Sequence, residues 1–486
     1  MNYGQFLNML PEVYLTGILL LVFAWDFISC KMRSDEGTPS HRDLFNPLVV
    51  CLMAAYVVFS FLSTPSDAFG GMYISTQAIH VMKIILGIGT VIVLIQSKRW
   101  ITNSAVNGQD GHKEGEFYML VVSTLLGMNM MMSAGHFLMF FLGLEMASVP
   151  MACLVAFDRR QKSAEGAAKY ILVATFSSGV MLFGISFIYA ACGTLYFADV
   201  AEIVTVKPLS IMGLVFFFSG LGFKISLVPF HFWTADTYEG APTTVTGYLS
   251  VISKGAAAFT LCAILMKVFQ PMVEYWEMML YIVIVLSITV ANLFAIRQSD
   301  LKRFMAFSSI SQAGYIMLAV VGNNPMGVTA LMYYVLVYVV ANLSVFSIIA
   351  AVEERNGGRT DMDAYNGFYR TNPKLSFLMT LALFSLGGIP PFAGMFSKFF
   401  VFMAAAKQGS FAAYFVVFVA LVNTVVSLYY YLLIVKAMYI KPSDSPLPTF
   451  KTDVNTRVAL AVCTAGIVLF GICSCIYDYL FAASAM

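Results

Sequence analysis

The sequence predicts an all-α polytopic membrane protein of about fourteen transmembrane helices, with breaks in the seventh and the twelfth. Three observations carry this expectation. Hydrophobic residues make up 59% of the chain, aromatic residues 15% and charged residues only 11%, which is the composition of a membrane-embedded domain. Apolar runs long enough to cross a hydrocarbon core, about 20 residues each, recur from end to end. Lysine and arginine then alternate between the intervening loops as a regular topology requires.

The runs lie near 12–30, 45–63, 77–96, 117–133, 136–157, 167–192 and 209–234, followed by 243–266, 277–296, 302–321, 327–352, 375–406, 411–440 and 456–482. No stretch between them is long enough for a soluble domain. The first residues lack the basic region and small-residue cleavage site of a signal peptide, so the first run is expected to stay as a helix. Numbering each loop by the helix before it, odd loops collect 20 of the 28 Lys and Arg residues, among them Arg33, Arg42, Lys98, Arg160, Arg297, Arg359 and Lys441. Even loops hold only Lys207, Lys267 and Lys407, a count of 3. Positive residues stay in the cytoplasm, so both termini are expected outside and the odd loops inside. The net charge of +2 therefore marks a membrane orientation and carries no nucleic-acid signal.

The eight cysteines form no CxxC pair and no His/Cys cluster with metal-ligand spacing, so they read as small buried hydrophobes and no metal site is expected. No GxGxxG or Walker-type loop is present, and redox or nucleotide chemistry is left to partners.

Function concentrates in four charged residues placed alone within apolar runs: Glu145, Lys224, Lys254 and Lys398. A charge at bilayer depth costs roughly 2.5–3.5 kcal/mol even on lenient insertion scales, so such residues face protein or water and serve ion movement. In the seventh run Lys224 precedes Pro229 and His231, and in the twelfth Gly387, Gly388, Pro390 and Pro391 precede Lys398. Proline removes a helix hydrogen bond and glycine adds backbone freedom, so both helices are expected to be discontinuous. Breaks five runs apart are the usual pointer to an inverted-repeat transporter with its ion path at mid-membrane. Glu145 is expected to tune the protonation of Lys224, with Lys254 and Lys398 handing the proton on through His231, Ser226, Ser253 and Ser397. Structural readings stand beside this one. A lone lysine can snorkel to the interface, which is the expectation for Lys83 and Lys169 near run ends, and His231 can be an ordinary hydrogen-bonded helix residue. For Asp236 and Glu239, at the cytoplasmic end of the seventh run, solvated or capping roles stand equally with transport.

The segment from Phe230 to Thr243, FHFWTADTYEGAPT, followed by the Lys254 helix, resembles the antiporter-like membrane subunits of NADH-quinone oxidoreductase, respiratory complex I. Leu301 to Ile310 and Gly387 to Lys398 resemble two further segments of the same family. The YEGAP wording favours the subunit N branch over its paralogues. The resemblance implies three N-terminal helices (1–116), a first five-helix repeat (117–266), a second, inverted repeat (277–440) and a last helix (441–486). It also implies Glu145 as the acid of the fifth helix and Lys224 as its partner. Lys254 would be the central lysine, and Lys398 the lysine of the broken twelfth helix. Ala235 stands where many relatives have proline and Gln312 where some have histidine, which removes a relay group from the tenth helix. The implied function is proton translocation driven by quinone reduction elsewhere in the complex. No cofactor is then expected in this chain; NADH, FMN, iron–sulfur clusters and quinone belong to partner subunits, and paralogous membrane-arm subunits are its neighbours in a bacterial inner membrane. A subunit of a cation/proton antiporter or membrane-bound hydrogenase, and a non-transporting anchor, are the alternative classes.

Overall fold

The structure, a computed structural model, describes residues 3–31, 45–102, 113–443 and 446–484. Its long helices are α1 (Leu10–Lys31), α2 (Phe45–Leu62), α3 (Gln77–Ile101), α4 (Lys113–Met132), α5 (Phe137–Val155), α6 (Gln161–Cys192) and α7a (Pro208–Ile225) with α7b (Phe232–Gly240). These are followed by α8 (Thr243–Lys267), α9 (Val273–Ala295), α10 (Leu301–Val321), α11 (Pro325–Arg355), α12a (Pro373–Gly387) with α12b (Ala393–Ala406), α13 (Phe411–Tyr439) and α14 (Val454–Ile472). Twelve of the described helices are long and apolar enough to cross a membrane on their own. The more polar α4 and the split α12 complete the fourteen passes read from the sequence.

Turn chemistry starts many of these helices where it does. Asp300, Asn324, Ser410 and Asp453 accept hydrogen bonds from the first-turn amides of α10, α11, α13 and α14. Pro208, Pro325 and Pro373 stand at first helical positions, where a missing N–H costs nothing.

The loops sort onto two ends as the charge alternation anticipated. Asp158, Lys162, Glu239, Asp300, Glu353 and Thr360, drawn from four odd-numbered connections, line one cavity. At the other end a two-stranded hairpin, β1 (Ser66–Ala68) and β2 (Tyr73–Ser75), receives the connection after α4 through Ile74 N–H to Ser133 O at 2.8 Å and Gly135 N–H to Met72 O at 2.8 Å. The first odd connection, with Arg33 and Arg42, and the chain ends lie outside the described residues.

Helices α8, α10 and α11 are buried along nearly their whole length and form the core, whereas α1, α13 and α14 present broad apolar faces outward. The breaks are positioned by this core. After Ile225 the chain turns through Ser226 in the left-handed region (φ 67°), and groups freed there find partners: Trp233 Nε1–H donates to Phe223 O at 3.1 Å and Val228 N–H to Ser287 Oγ of α9 at 2.9 Å. Satisfied backbone is the condition for irregular structure at this depth. At the second break Gly388 takes φ 86°, and Gly394 N–H donates to Ser385 Oγ at 3.2 Å.

Two expectations need correction. Lys83 does not snorkel: its ammonium is fully buried, pairs with Glu12 at 2.6 Å, and donates to Tyr73 Oη at 3.1 Å, while Tyr73 in turn donates to Glu12. Its place in the second turn of α3 resembles a membrane boundary in sequence, but the hairpin folds over that end and covers it. The cysteines are not uniformly buried either. Among those described, Cys262 and Cys463 are, whereas Cys51, Cys153 and Cys475 are exposed on outward helix faces where a small apolar side chain meets no penalty.

Removing one member of a buried ion pair leaves the other charge unpaired, at a cost of about 3–5 kcal/mol. Lys83→Met is therefore expected to reduce sharply the thermal stability of the detergent-solubilised protein. Adding Glu12→Gln should restore most of it, as read by the unfolding temperature of the two variants.

Candidate functional site

Three lysines line the interior of the bundle: Lys224, Lys254 and Lys398 are 3%, 2% and 4% exposed, which excludes snorkelling. Among the described residues none of them forms an ion pair. Each is instead solvated by oxygen acceptors, with a tyrosine beside it.

Lys224 occupies the last turn of α7a, where unpaired carbonyls favour a cation. Its Nζ donates to Ser148 Oγ and to Tyr170 Oη, both at 2.8 Å, and lies 5.5 Å from the Tyr170 ring centre. Glu145 is one turn before Ser148 on α5 and accepts a short hydrogen bond from Ser178 of α6. Glu145 and Lys224 form no ion pair; Ser148, one turn on from Glu145, takes the ammonium, and the carboxylate acts on the lysine through space. Pro150 follows within the same helix and removes an amide donor there.

Lys254 begins the regular part of α8, immediately after a π-helical turn over Leu249–Ser253. Such turns recur at functional sites because they rotate the following side chains relative to the helix. Here Lys254 reaches α10, donating to Ser309 Oγ at 2.7 Å with its Nζ 5.3 Å from the Tyr238 ring centre. Lys398 projects from α12b back over the break. It donates to Gly387 O at 3.1 Å, a carbonyl left free by the end of α12a, and lies 5.0 Å from the Tyr315 ring centre.

The polar groups expected to assist do not touch these lysines. Ser226 and Ser253 keep buried, unpartnered hydroxyls, and Ser397 donates to its own helix at Gly394 O. His231 caps the start of α7b, 8% exposed, with Nδ1 unpartnered and its ring against Phe232; it bonds to none of the lysines. The groups that do serve, Ser148, Tyr170, Tyr238, Ser309 and Tyr315, come from helices remote in sequence. Pairing a serine with the lysine it would meet requires helix rotations that sequence does not supply.

Beside α7b, Asp236 and Glu239 are neither free nor capping. Asp236 pairs with Lys169 and Arg303 at 2.7 Å each, and Glu239 with Arg303 at 2.8 Å and Lys162 at 3.1 Å. This clasp ties α6, α7b and α10 together at the end where the odd connections gather. Among the described residues no cluster of metal-ligating side chains occurs.

A helical bundle with two broken passes and a buried, hydroxyl-solvated lysine row defines the class of antiporter-like membrane subunits. Residues 134–427 match the family described as NADH:quinone oxidoreductase/Mrp antiporter, TM. The chain is 55% identical over 481 residues to NADH-quinone oxidoreductase subunit N of Phocaeicola vulgatus, covering 99% of both chains. It is 33% identical to subunit N 1 of Thermodesulfovibrio yellowstonii, covering 96% of each. The chain belongs to the NADH-quinone oxidoreductase subunit N family. Its fold is similar to a chain of respiratory complex I from Thermus thermophilus (TM-score 0.78, 29% identity, 95% of this chain and 97% of that one). A chain of the Mrp complex from Dietzia shares the fold alone (TM-score 0.82, 19% identity, 100% and 97% covered).

The second break is sensitive to a single methyl. A Cβ on Gly388 would lie 3.1 Å from Lys398 Cδ in a backbone conformation that costs a non-glycine residue roughly 1–2 kcal/mol. Gly388→Ala is expected to lower the unfolding temperature of the purified assembly and to displace Lys398, whereas Gly409→Ala, in open space at φ 77°, carries the backbone cost alone. Comparison of the two melting temperatures separates strain from displacement.

Proposed function

We propose that this chain is the proton-translocating subunit N of a bacterial NADH-quinone oxidoreductase, moving protons through Glu145, Lys224, Lys254 and Lys398 while quinone is reduced in other subunits. The observation that carries the reading is the lysine row itself: three ammonium sites at bilayer depth, none ion-paired, each hydrogen-bonded to a neutral hydroxyl or carbonyl oxygen. A structural lysine is best served by a carboxylate partner, as Lys83 has in Glu12. A lysine that cycles between charged and neutral forms needs neutral partners able to bind both.

In this scheme helices four to eight and nine to thirteen act as two inverted repeats, each carrying one break, with helices one to three and fourteen outside them. His231, beside the first break, is a further relay group within reach of the field of Lys254. Glu145 is half-buried on an α5 face where Leu138, Leu142 and Val149 are exposed. A carboxylate there calls for a covering protein surface, and a neighbouring membrane-arm subunit of the antiporter-like type meets that need. NADH, FMN, iron–sulfur clusters and quinone are handled by partner subunits. Each proton moved against the membrane potential takes about 2.3 kcal/mol per 100 mV, which quinone reduction supplies. A cation/proton antiporter or membrane-bound hydrogenase would use the same fold, but the high-identity relatives favour the quinone-linked complex.

Lys254→Met keeps a flexible chain of similar length and removes the exchangeable proton. NADH-driven proton uptake by inverted membrane vesicles is expected to fall several-fold with normal amounts of assembled complex. Lys254→Arg should not restore it, because guanidinium keeps its proton at working pH. An arginine variant that pumps normally would sink the assignment of Lys254.

The loop charges favour an orientation with both termini and the even connections on the outer side of the inner membrane. In intact cells, the single-cysteine variant Asp67→Cys is expected to react with an impermeant maleimide and Arg359→Cys is not. The opposite labelling would reverse the orientation.

A further inference from the structure

The proposed proton path leaves a gap between Lys254 and Lys398, since no hydrogen bond joins their surroundings directly. The tenth helix crosses that gap. Its Gln312 is the obvious bridging residue by position, but an amide does not exchange a proton readily, and this one is fully engaged. Gln312 Oε1 accepts from the Tyr334 hydroxyl and Nε2 donates to Tyr431 Oη at 3.2 Å.

Tyr338 of α11 is differently placed. It is 4% exposed, its hydroxyl lies next to Ser309, and that hydroxyl is buried without a hydrogen-bond partner. An orphaned hydroxyl at this depth costs on the order of 1–3 kcal/mol, a penalty that a polar occupant nearby would remove. Tyr338 also lines a small void of ≈ 10 Å³ together with Gln312, Ser397 and Lys398. About 10–15 Å³ measured in this way admits one water, provided that polar groups surround it. The void is at the lower end of that range and its walls are mainly apolar, with Tyr338 and Lys398 among the residues that line it.

We infer that Tyr338 is the hydroxyl that carries protons between Lys254 and Lys398, through Ser309 on one side and a single water in the void on the other. The inference rests on the proton-translocating reading above. The transfer balances without any other reactant. An N–H bond of the Lys254 ammonium breaks as an O–H bond forms at Ser309, and Ser309 passes its own hydroxyl proton to Tyr338. Tyr338 gives its proton to the water, and the water gives one to the neutral amine of Lys398. Each hydroxyl ends with one proton, one N–H is lost at Lys254, one is gained at Lys398, and no electrons move. The chain then turns over by rotation of the same O–H bonds.

Tyr338→Phe removes only the orphaned oxygen and keeps the ring that packs α11 on α10. In the whole complex, in inverted vesicles, the number of protons taken up per NADH oxidised is expected to fall at least two-fold with unchanged assembly. Ser309→Ala cuts the same chain one hydroxyl nearer Lys254 and should give the same loss, whereas Ser309→Thr, which keeps a hydroxyl, should pump normally. Should Tyr338→Phe fail to assemble, Tyr338→Leu and Tyr338→Met, which likewise lack the hydroxyl, decide in its place, because Ser309 also holds Lys254 directly. Lys254→Met is run alongside. If it abolishes pumping while Tyr338→Phe and Ser309→Ala pump as wild type, the Tyr338 relay is wrong and the general reading stands. If Lys254→Met itself pumps normally, the general reading falls, and the relay falls with it.

Discussion

The constraint on which the structure depends is the burial of ammonium groups in a medium that does not solvate them. An unpaired charge in low dielectric is costly, so every buried lysine must be supplied with acceptors by the surrounding helices. Four described lysines meet this demand beside a tyrosine, with Nζ to ring-centre distances of 5.0 to 5.5 Å at Tyr73, Tyr170, Tyr238 and Tyr315. For Lys83 and Lys224 it is the tyrosine hydroxyl that takes the ammonium, and other hydroxyls and carbonyls provide the rest. What divides the four is the remaining partner. Lys83 has a carboxylate and is fixed as a charged strut; Lys224, Lys254 and Lys398 have neutral oxygens.

The irregular backbone follows from the same demand. A continuous helix satisfies its own carbonyls and has none to offer a cation. Breaking α12 frees Gly387 O for Lys398, and ending α7a at Ile225 puts Lys224 at a carbonyl-rich terminus while Trp233 satisfies the Phe223 carbonyl. The π turn before Lys254 achieves the third placement without a break, by shifting the register of α8 against α10. These departures from regular helix bring the three charges to their acceptors, hydroxyls for Lys224 and Lys254 and a backbone carbonyl for Lys398.

Helix α10 is the common wall of the site. Ser309 receives Lys254, Ser308 bonds Tyr431, Gln312 joins Tyr334 to Tyr431, and Tyr315 underlies Lys398. At its charged end Arg303 holds Asp236 and Glu239 of α7b. One rigid, fully buried helix thereby links the break in the first half of the chain to the break in the second, and any movement of α7b is felt at Arg303. Individually such half-exposed pairs are worth little, but a shared arginine makes them a geometric tie.

The fourteen passes, the two breaks, the two-ended sorting of loops and the burial of Lys224, Lys254 and Lys398 were legible in the sequence, because each depends on local composition: apolar length, Gly and Pro content, and isolated charge. The partners of those charges were not. Ser226, Ser253 and Ser397 are near the lysines in sequence yet give them no hydrogen bond, while Ser148, Tyr170, Ser309 and Tyr315 are distant in sequence and adjacent in space. Lys83 read as a boundary residue because the pairing with Glu12, 71 positions away, exists only once the hairpin closes over α1 and α3. Hydrophobicity and chain-breaking are properties of a segment and survive in one dimension; the solvation of a buried charge is a property of how several helices are rotated against one another, and only tertiary packing sets those rotations.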